Sequence, residues 1–257
     1  AVFESMSGFT TTGATILTDI EGLSRGCMFW RLFSQWIGGM GVLVFLMAVM
    51  PMNGEHSMHI MRAEFPGPSV GKLVPRVRDT ARVLYTIYLV LTLLETLMLR
   101  LGGMSFYDAL LHAFATAGTG GFSTRNESIA AFNSPYIEMV IASFLVLYGM
   151  NFNLYYLVLL RKIKTALKSE ELHWYLLIMF ASTLFVFFNI LYRYHNAAHA
   201  FSDAYFQVSS IMTTTGYATT DFNLWPQQSK TILVMLMFIG GCAGSTGGGI
   251  KVSRIVM

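Results

Sequence analysis

Three stretches of the chain gather uncharged oxygen donors around a glycine. They are Ser7-Gly8-Phe9-Thr10-Thr11-Thr12-Gly13-Ala14-Thr15, Ala117-Gly118-Thr119-Gly120-Gly121-Phe122-Ser123-Thr124 and Ser210-Ile211-Met212-Thr213-Thr214-Thr215-Gly216-Tyr217-Ala218-Thr219. They fall into register on Gly13, Gly121 and Gly216, which lie 108 and 95 residues apart. One such stretch between helices is ordinarily a turn. Three in register make an internal repeat of roughly one hundred residues, which decides the architecture before any single residue does. Carbonyl and hydroxyl oxygens are hard ligands, and glycine lets carbonyls align where a side chain would clash or φ must be positive. An uncharged ring of them suits a monovalent cation that has shed its water.

A second concentration of glycine, Gly240-Gly241-Cys242-Ala243-Gly244-Ser245-Thr246-Gly247-Gly248-Gly249, follows the apolar helix start Thr231 to Ile239. Its six glycines in ten positions cannot sustain a helix at about 1 kcal/mol each relative to Ala. A close-packing helix face would space them by four on a continuous helix, whereas here they are adjacent. The segment therefore predicts a broken helix below the three strands, able to act as a gate, with Lys251 anchoring its cytoplasmic end. A phosphate-binding loop is excluded, because Lys251 lies between Ile250 and Val252 rather than in Gly-Lys-Ser/Thr.

Other side chains invite chemistry less strongly. His195, His199 and Asp203, four apart, would stack three metal-ligand types on one helical face, as a membrane-embedded metal-dependent hydrolase would need. Asp203 has a capping role as well, and such an enzyme leaves the three Thr/Gly copies unexplained. His56 and His59 sit beside Arg62 in a polar loop, and His112 is expected to pack or hydrogen-bond behind the second strand. Glu95 is the only carboxylate inside an apolar span, by default a functional candidate there, though a local pair with Arg100 or snorkelling is the favoured account. Asn151 and Asn153 follow Gly149 in mid-span, either between helices or facing the cavity. Cys27 and Cys242 imply no disulfide framework or metal knuckle.

The elements that must hold these groups follow from charge and composition. Of 257 residues 54% are hydrophobic and 12% charged, about half the charge of a soluble domain. That excludes a disordered chain and a soluble globule. A net charge of +3 is too small for a nucleic-acid partner. Five stretches approach the roughly 20 residues a helix needs to cross a hydrocarbon core: Leu32 to Gly54, Val83 to Leu99, Met139 to Leu160, Leu172 to Tyr192 and Thr231 to Ile250. Alternate threading puts 11 of the 17 basic residues on one side, which the positive-inside rule makes cytoplasmic. The linkers 55–80 and 161–171 then face the cytoplasm and the Thr/Gly strands face outward.

Each strand is preceded by a half-length helix with its own start signal. Ser105 with Asp108 opens Ala109 to Thr116, and Ser202-Asp203 opens Ala204 to Ile211, with Glu4 as the same device in the first copy. A half-helix followed by polar strand cannot face lipid, since each unpaired backbone group would cost several kcal/mol, so it must line a wet cavity. Its C-terminus, carrying roughly half a negative charge, points at the centre. The chain has no span ahead of Glu4 and reads as an internal piece of a longer protein.

These motifs, with Gln35-Trp36-Ile37-Gly38-Gly39-Met40-Gly41 and the glycine run ending in Ile250-Lys251, resemble the Trk/Ktr/HKT superfamily of potassium transporters. The resemblance covers essentially the whole chain and is strongest to the bacterial TrkH/TrkG type. It implies an all-α membrane protein built of helix, pore-helix, filter-loop, helix units, pseudo-fourfold when complete. Residues 1–54 form repeat one without its first helix, 55–80 a cytoplasmic linker, 81–165 repeat two and 166–257 repeat three with the gating loop; the fourth repeat is absent. Potassium is the implied ion and no bound cofactor is implied. Its ligands would come from Thr11, Thr12, Gly13, Thr119, Gly120, Gly121, Thr214, Thr215 and Gly216. Gly240, Gly241, Gly244, Ser245, Thr246, Gly247, Gly248, Gly249 and Lys251 would form the gate. Also implied are a multi-pass place in the bacterial inner membrane, a homodimer and a TrkA-type nucleotide-binding regulatory subunit. Potassium transport by symport, or by a sodium/potassium co-transporting Ktr/HKT-type subunit, stays open as the alternative. Three quarters of a filter cannot encircle an ion, so the piece alone is expected to be inactive.

Overall fold

The computed structural model describes residues 1–41 and 77–256, with 77–80 known by backbone alone. The expected span beyond Gly41, most of the linker 55–80, and His56 and His59 lie outside the described residues. The helices are α1 (Val2–Phe9), α2 (Arg25–Gly39), α3 (Val77–Leu101), α4 (Phe106–Ala117), α5 (Pro135–Tyr148) and α6 (Phe152–Leu159). They continue with α7 (Ile163–Leu167), α8 (Glu170–Ile190), α9 (Ala197–Met212), α10 (Gln227–Phe238) and α11 (Val252–Val256). Among the described residues extended pairing is limited to one parallel bridge, Ile239 with Ile250.

Among the described residues two helical stretches are long and apolar enough to cross a membrane, Ala81–Leu101 and Glu170–Arg193. The second begins with Glu170 and Glu171, whose charge suits the positive end of the helix. The half-helix α4 packs between α2, α3 and α5, and the half-helix α9 between α5, α8 and α10. Two apolar cores result, one around Leu32, Tyr88, Leu111, Phe122, Leu145 and Phe152, the other around Tyr175, Val186, Val208, Leu233 and Leu236. Leu93, Leu97, Phe180, Phe188 and Phe238 are exposed, as side chains solvated by acyl chains should be.

Two expected spans are broken. Met139 to Leu160 is not one helix, because α5 and α6 meet at 87°. Asn151 starts the new helix by accepting from the Asn153 N–H at 2.9 Å, so it serves as a cap. The backbone groups freed by the break are satisfied from the glycine run: Cys242 N donates to Gly149 O at 2.9 Å and Phe152 N to Gly244 O at 3.0 Å. Thr231 to Ile250 is likewise interrupted, as the glycine content predicts. After Phe238 the chain leaves the helix and returns beside itself, Gly240 N donating to Ile250 O at 2.9 Å and Ile250 N to Phe238 O at 3.1 Å.

Ser105 caps α4 as expected, accepting from Asp108 N at 3.0 Å and donating to Asp108 Oδ2 at 2.8 Å. The third half-helix differs from expectation. It begins at Ala197, where Asn196 accepts from Ala198 N at 2.9 Å, so Asp203 lies inside α9 and does not cap it. Asn196 is a strong cap residue two turns upstream of the one expected.

Candidate functional site

Each half-helix ends the same way. Thr11, Thr119 and Thr214 are left-handed at φ 53°, 49° and 58°. Behind each, two N–H groups turn back onto the helix: Thr11 to Gly8 O and Thr12 to Ser7 O, Thr119 to Thr116 O and Gly120 to Ala115 O, Thr214 to Ile211 O and Thr215 to Ser210 O, all at 2.8–2.9 Å. This is the Schellman ending, which favours glycine at its left-handed residue. Threonine there costs about 1–2 kcal/mol, and it recurs in all three copies. Two residues on, Gly13, Gly121 and Gly216 are left-handed again at φ 75°, 77° and 84°. The residue between is not left-handed, so handedness alternates along each strand. Such alternation turns successive carbonyls toward one side, as an oxygen-lined pore requires.

The three strands pack side by side. A Cβ on Gly13 would overlap the Gly120 carbonyl oxygen and lie 3.8 Å from Gly121 Cα. A Cβ on Gly121 would overlap the Thr215 oxygen and lie 3.6 Å from the Gly216 carbonyl carbon. Gly13 and Gly121 thus each face the neighbouring strand, which brings Gly13, Gly120, Gly121, Thr215 and Gly216 together. Among the described residues nothing lies within 4 Å of a Cβ on Gly216.

Acids on the half-helices hold the strand that leaves each glycine. Asp108 Oδ1 accepts from Thr124 Oγ1 at 2.8 Å and Asp203 Oδ1 from Thr219 Oγ1 at 3.3 Å. In the first copy Glu4, one turn nearer its glycine, accepts from Thr15 Oγ1 at 2.8 Å and Ile16 N at 2.9 Å. Glu4 is paired with Arg31 at 2.8 Å. Arg31, only 5% exposed, also donates to Ser123 O at 3.2 Å and lies over the Phe122 ring at 3.6 Å. Neither Arg31 nor Gln35 stood out in the sequence as a site residue; their partners are long-range and leave no local spacing to find. His112 behaves as expected, with Nδ1 2.8 Å from Asp108 O and Nε2 3.0 Å from Ser123 Oγ.

The glycine loop lies against the strands. Thr119 Oγ1 donates to Thr246 O at 3.0 Å and Gly248 N donates to Thr214 Oγ1 at 2.7 Å. These two hydroxyls, expected among the inward oxygens, are therefore turned toward the loop by their left-handed backbone. Lys251 is buried and donates to Gly247 O within the loop, folding back on it. Glu171 Oε1 accepts from Ala243 N at 2.6 Å and fixes the other side.

Two expectations are corrected. Glu95 is fully buried and among the described residues neither of its oxygens has a partner at hydrogen-bond geometry. Arg100 donates instead to Met104 O at 2.8 Å, so there is no pair with Arg100 and no snorkelling. The metal stripe is not assembled either. His195 precedes the α9 cap, His199 is exposed, and Asp203 is occupied by the Tyr194 hydroxyl at 2.6 Å and by Thr219. Among the described residues no group of three or more His, Cys, Asp or Glu could hold a metal ion.

Half-length helices that feed alternating-handed Thr/Gly strands, between helices long enough to span a bilayer, define a membrane protein of potassium-channel-like architecture. Comparison with known proteins gives the family. The TrkH family, described as cation transport protein, matches residues 1–257. The Trk system potassium uptake protein TrkH of Escherichia coli is 42% identical over 263 residues, covering 100% of this chain and 54% of that protein. TrkG of the same organism is 39% identical over 263 residues, again 100% of this chain and 54% of the relative. The crystal structure of the potassium transporter TrkH from Vibrio parahaemolyticus superposes with a TM-score of 0.84 at 37% identity, covering 99% of this chain and 52% of that one. The chain belongs to the TrkH family of cation transport proteins. It spans about half the length of the relatives it matches.

Proposed function

We propose that the chain is the larger part of the pore of a potassium uptake protein. The observation that carries the reading is the convergence of three like strand geometries, with Gly13 beside Gly120 and Gly121, and Gly121 beside Thr215 and Gly216. A hydrated cation reaches the outer mouth and exchanges water for the carbonyl oxygens of Thr11, Thr12, Gly13, Thr119, Gly120, Gly121, Thr214, Thr215 and Gly216. It crosses one short filter, then passes the loop Gly240 to Gly249, which gates the exit together with Lys251. The role is transport, and the chain supplies no catalytic group. A single glycine per repeat gives a shorter filter than a tetrameric potassium channel has, so discrimination against sodium is modest. A fourth strand completes the ring in the full-length protein. That protein sits in the bacterial inner membrane with its filter facing outward, as a homodimer served by a cytoplasmic nucleotide-binding subunit of the TrkA type. The names of the relatives, each a potassium uptake protein of a Trk system, support the ion and work within a system.

The test is complementation of a potassium-import-deficient strain with the intact gene. Growth at low potassium is expected, with Gly121→Ser and Gly216→Ser impairing uptake or selectivity. Variants that keep both at wild-type levels would contradict the reading.

A further inference from the structure

The three filter strands are alike in backbone and unlike in what supports them. In the first, the Thr10 and Thr12 hydroxyls meet at 2.8 Å, and in the third, those of Thr213 and Thr215 meet at 2.9 Å. Each pair braces its strand from behind. The equivalent residues of the second strand are Gly118 and Gly120, which have no hydroxyl to offer. The second strand also lacks the serine that ties the residue after the filter glycine to its half-helix. Ser7 donates to Ala14 O at 2.6 Å and Ser210 to Tyr217 O at 2.7 Å, but the equivalent residue here is Ala115.

Gln35 of α2 takes the vacant place. It is fully buried, its Nε2 donates to Gly120 O at 2.7 Å, and its Oε1 accepts from Phe122 N at 3.2 Å. One amide thus grips the strand on both sides of Gly121. The fit is mutual. A Cβ on Gly120 would overlap the Gln35 amide and a Cβ on Gly118 the Gln35 backbone carbonyl, so both glycines are needed for Gln35 to enter. The side chain arrives in a fixed direction. Its neighbour Trp36 stacks on Tyr88 with ring centres 5.3 Å apart and donates to Thr92 Oγ1 at 3.1 Å, and the Tyr88 hydroxyl donates to Trp36 O at 2.9 Å.

We propose that Gln35 is a positioning residue for ion selection, setting the aim of the second strand's carbonyls in place of the threonine brace used by the other two. It touches no ion and acts through Gly120 and Phe122. The proposal rests on the potassium-filter reading above. Without the amide, the Gly120 carbonyl and the Phe122 N–H lose their Gln35 partner, and Arg31 on Ser123 O and the Phe122 ring is left as the grip from α2.

The experiment measures rubidium uptake and its inhibition by sodium in proteoliposomes holding the full-length protein. Gln35→Met keeps the volume and removes both bonds. Gln35→Glu keeps the acceptor for Phe122 N and removes the donor to Gly120 O. Losing a buried bond of this kind corresponds to about tenfold in an equilibrium, so both variants are expected to raise KM for rubidium about tenfold. Sodium should compete better in both, while the maximal rate changes less. A folded Gln35→Met or Gln35→Glu protein with wild-type KM and sodium inhibition overturns the proposal. Should neither accumulate, Gly120→Ala and its combination with Gln35→Ala decide. Shortening Gln35 removes the collision, so accumulation should return in the double variant with selectivity still impaired, and a selective double variant overturns the proposal. Gly121→Ser is measured in parallel. If it disturbs selectivity and the Gln35 variants do not, only the Gln35 assignment fails. If the unmodified protein carries no rubidium, the filter reading itself fails.

Discussion

Gly121→Ala puts the packing of the filter to its most direct test. Two costs arise at this residue. The first is conformational: φ is +77°, and an alanine held there costs about 1–2 kcal/mol. The second is steric and larger. The new methyl would overlap the Thr215 carbonyl oxygen and stand 3.1 Å from its carbon, and the obstacle is backbone, which has no rotamer by which to step aside. The oxygen must retreat by more than ~1 Å to reach the ~3.3 Å of an ordinary carbon–oxygen contact. It belongs to the proposed ion ligands, so a single methyl in strand two displaces a ligand in strand three. At least 1.4 kcal/mol of ion binding should be lost, which is about tenfold in affinity. The assay is rubidium uptake by the full-length protein with sodium as competitor. The control is Gly26→Ala, where a Cβ meets nothing within 4 Å and a helix gains up to about 1 kcal/mol. If Gly121→Ala matches Gly26→Ala in KM and in sodium discrimination, the contact between neighbouring strands does not shape the ion site.

Four further substitutions have stated outcomes. Arg31→Ala leaves Glu4 without its cation in a site where the two side chains are 4% and 13% exposed. The full-length protein should lose about 3 kcal/mol, read as a drop in thermal midpoint that Glu4→Gln only partly reproduces. Glu95→Gln keeps the shape at a carboxyl with no hydrogen-bond partner among the described residues, so the midpoint should hold or rise; a large fall would contradict that reading. Gly240→Ala drives a methyl into the Gly248 carbonyl, with Gly249 Cα 2.9 Å away. The loop cannot keep its place, and basal flux through the proposed gate should rise; unchanged flux would separate the loop from gating. Thr214→Val removes the acceptor for Gly248 N and with it a tie between loop and strand, so it should raise flux in the same assay while Thr214→Ser does not.

Much of this was legible in the sequence because it is periodic or local. The register of Gly13, Gly121 and Gly216, the helix stop at Phe238 and the Ser105–Asp108 cap each need only neighbouring residues to be recognised. The breaks at Gly149 and the true start of α9 were not legible, for different reasons. Asn196 is a good cap, but Ser202-Asp203 offers the same local chemistry, and only tertiary contact decides between them. Asp203 is drawn to Thr219 and Tyr194 and so is unavailable as a cap. Around Gly149 the stretch from Met139 to Leu160 carries no charge and is long enough to cross as one helix, Asn151 and Asn153 notwithstanding. The bend exists because the glycine loop, some ninety residues later, supplies Cys242 N and Gly244 O to the groups the bend exposes. A partner that remote leaves no mark on the local pattern.

The left-handed threonines connect the strands to the loop. A residue forced to positive φ carries its side chain to a different side of the backbone from its right-handed neighbours. Thr119 and Thr214 therefore send their hydroxyls to Thr246 O and Gly248 N, while the alternating strand leaves its carbonyls to the other side. The conformation that costs about 1–2 kcal/mol at each threonine thus serves two purposes. It orients carbonyls in the proposed filter, and it supplies polar partners to the glycine-rich loop. Glycine at the same positions would relieve the strain and keep the helix ending, but it would leave the Gly248 amide unpaired and free the Thr246 carbonyl. Strand geometry and loop position are for that reason one structural unit, and a displacement of the loop must break bonds whose other ends lie in the Thr/Gly strands.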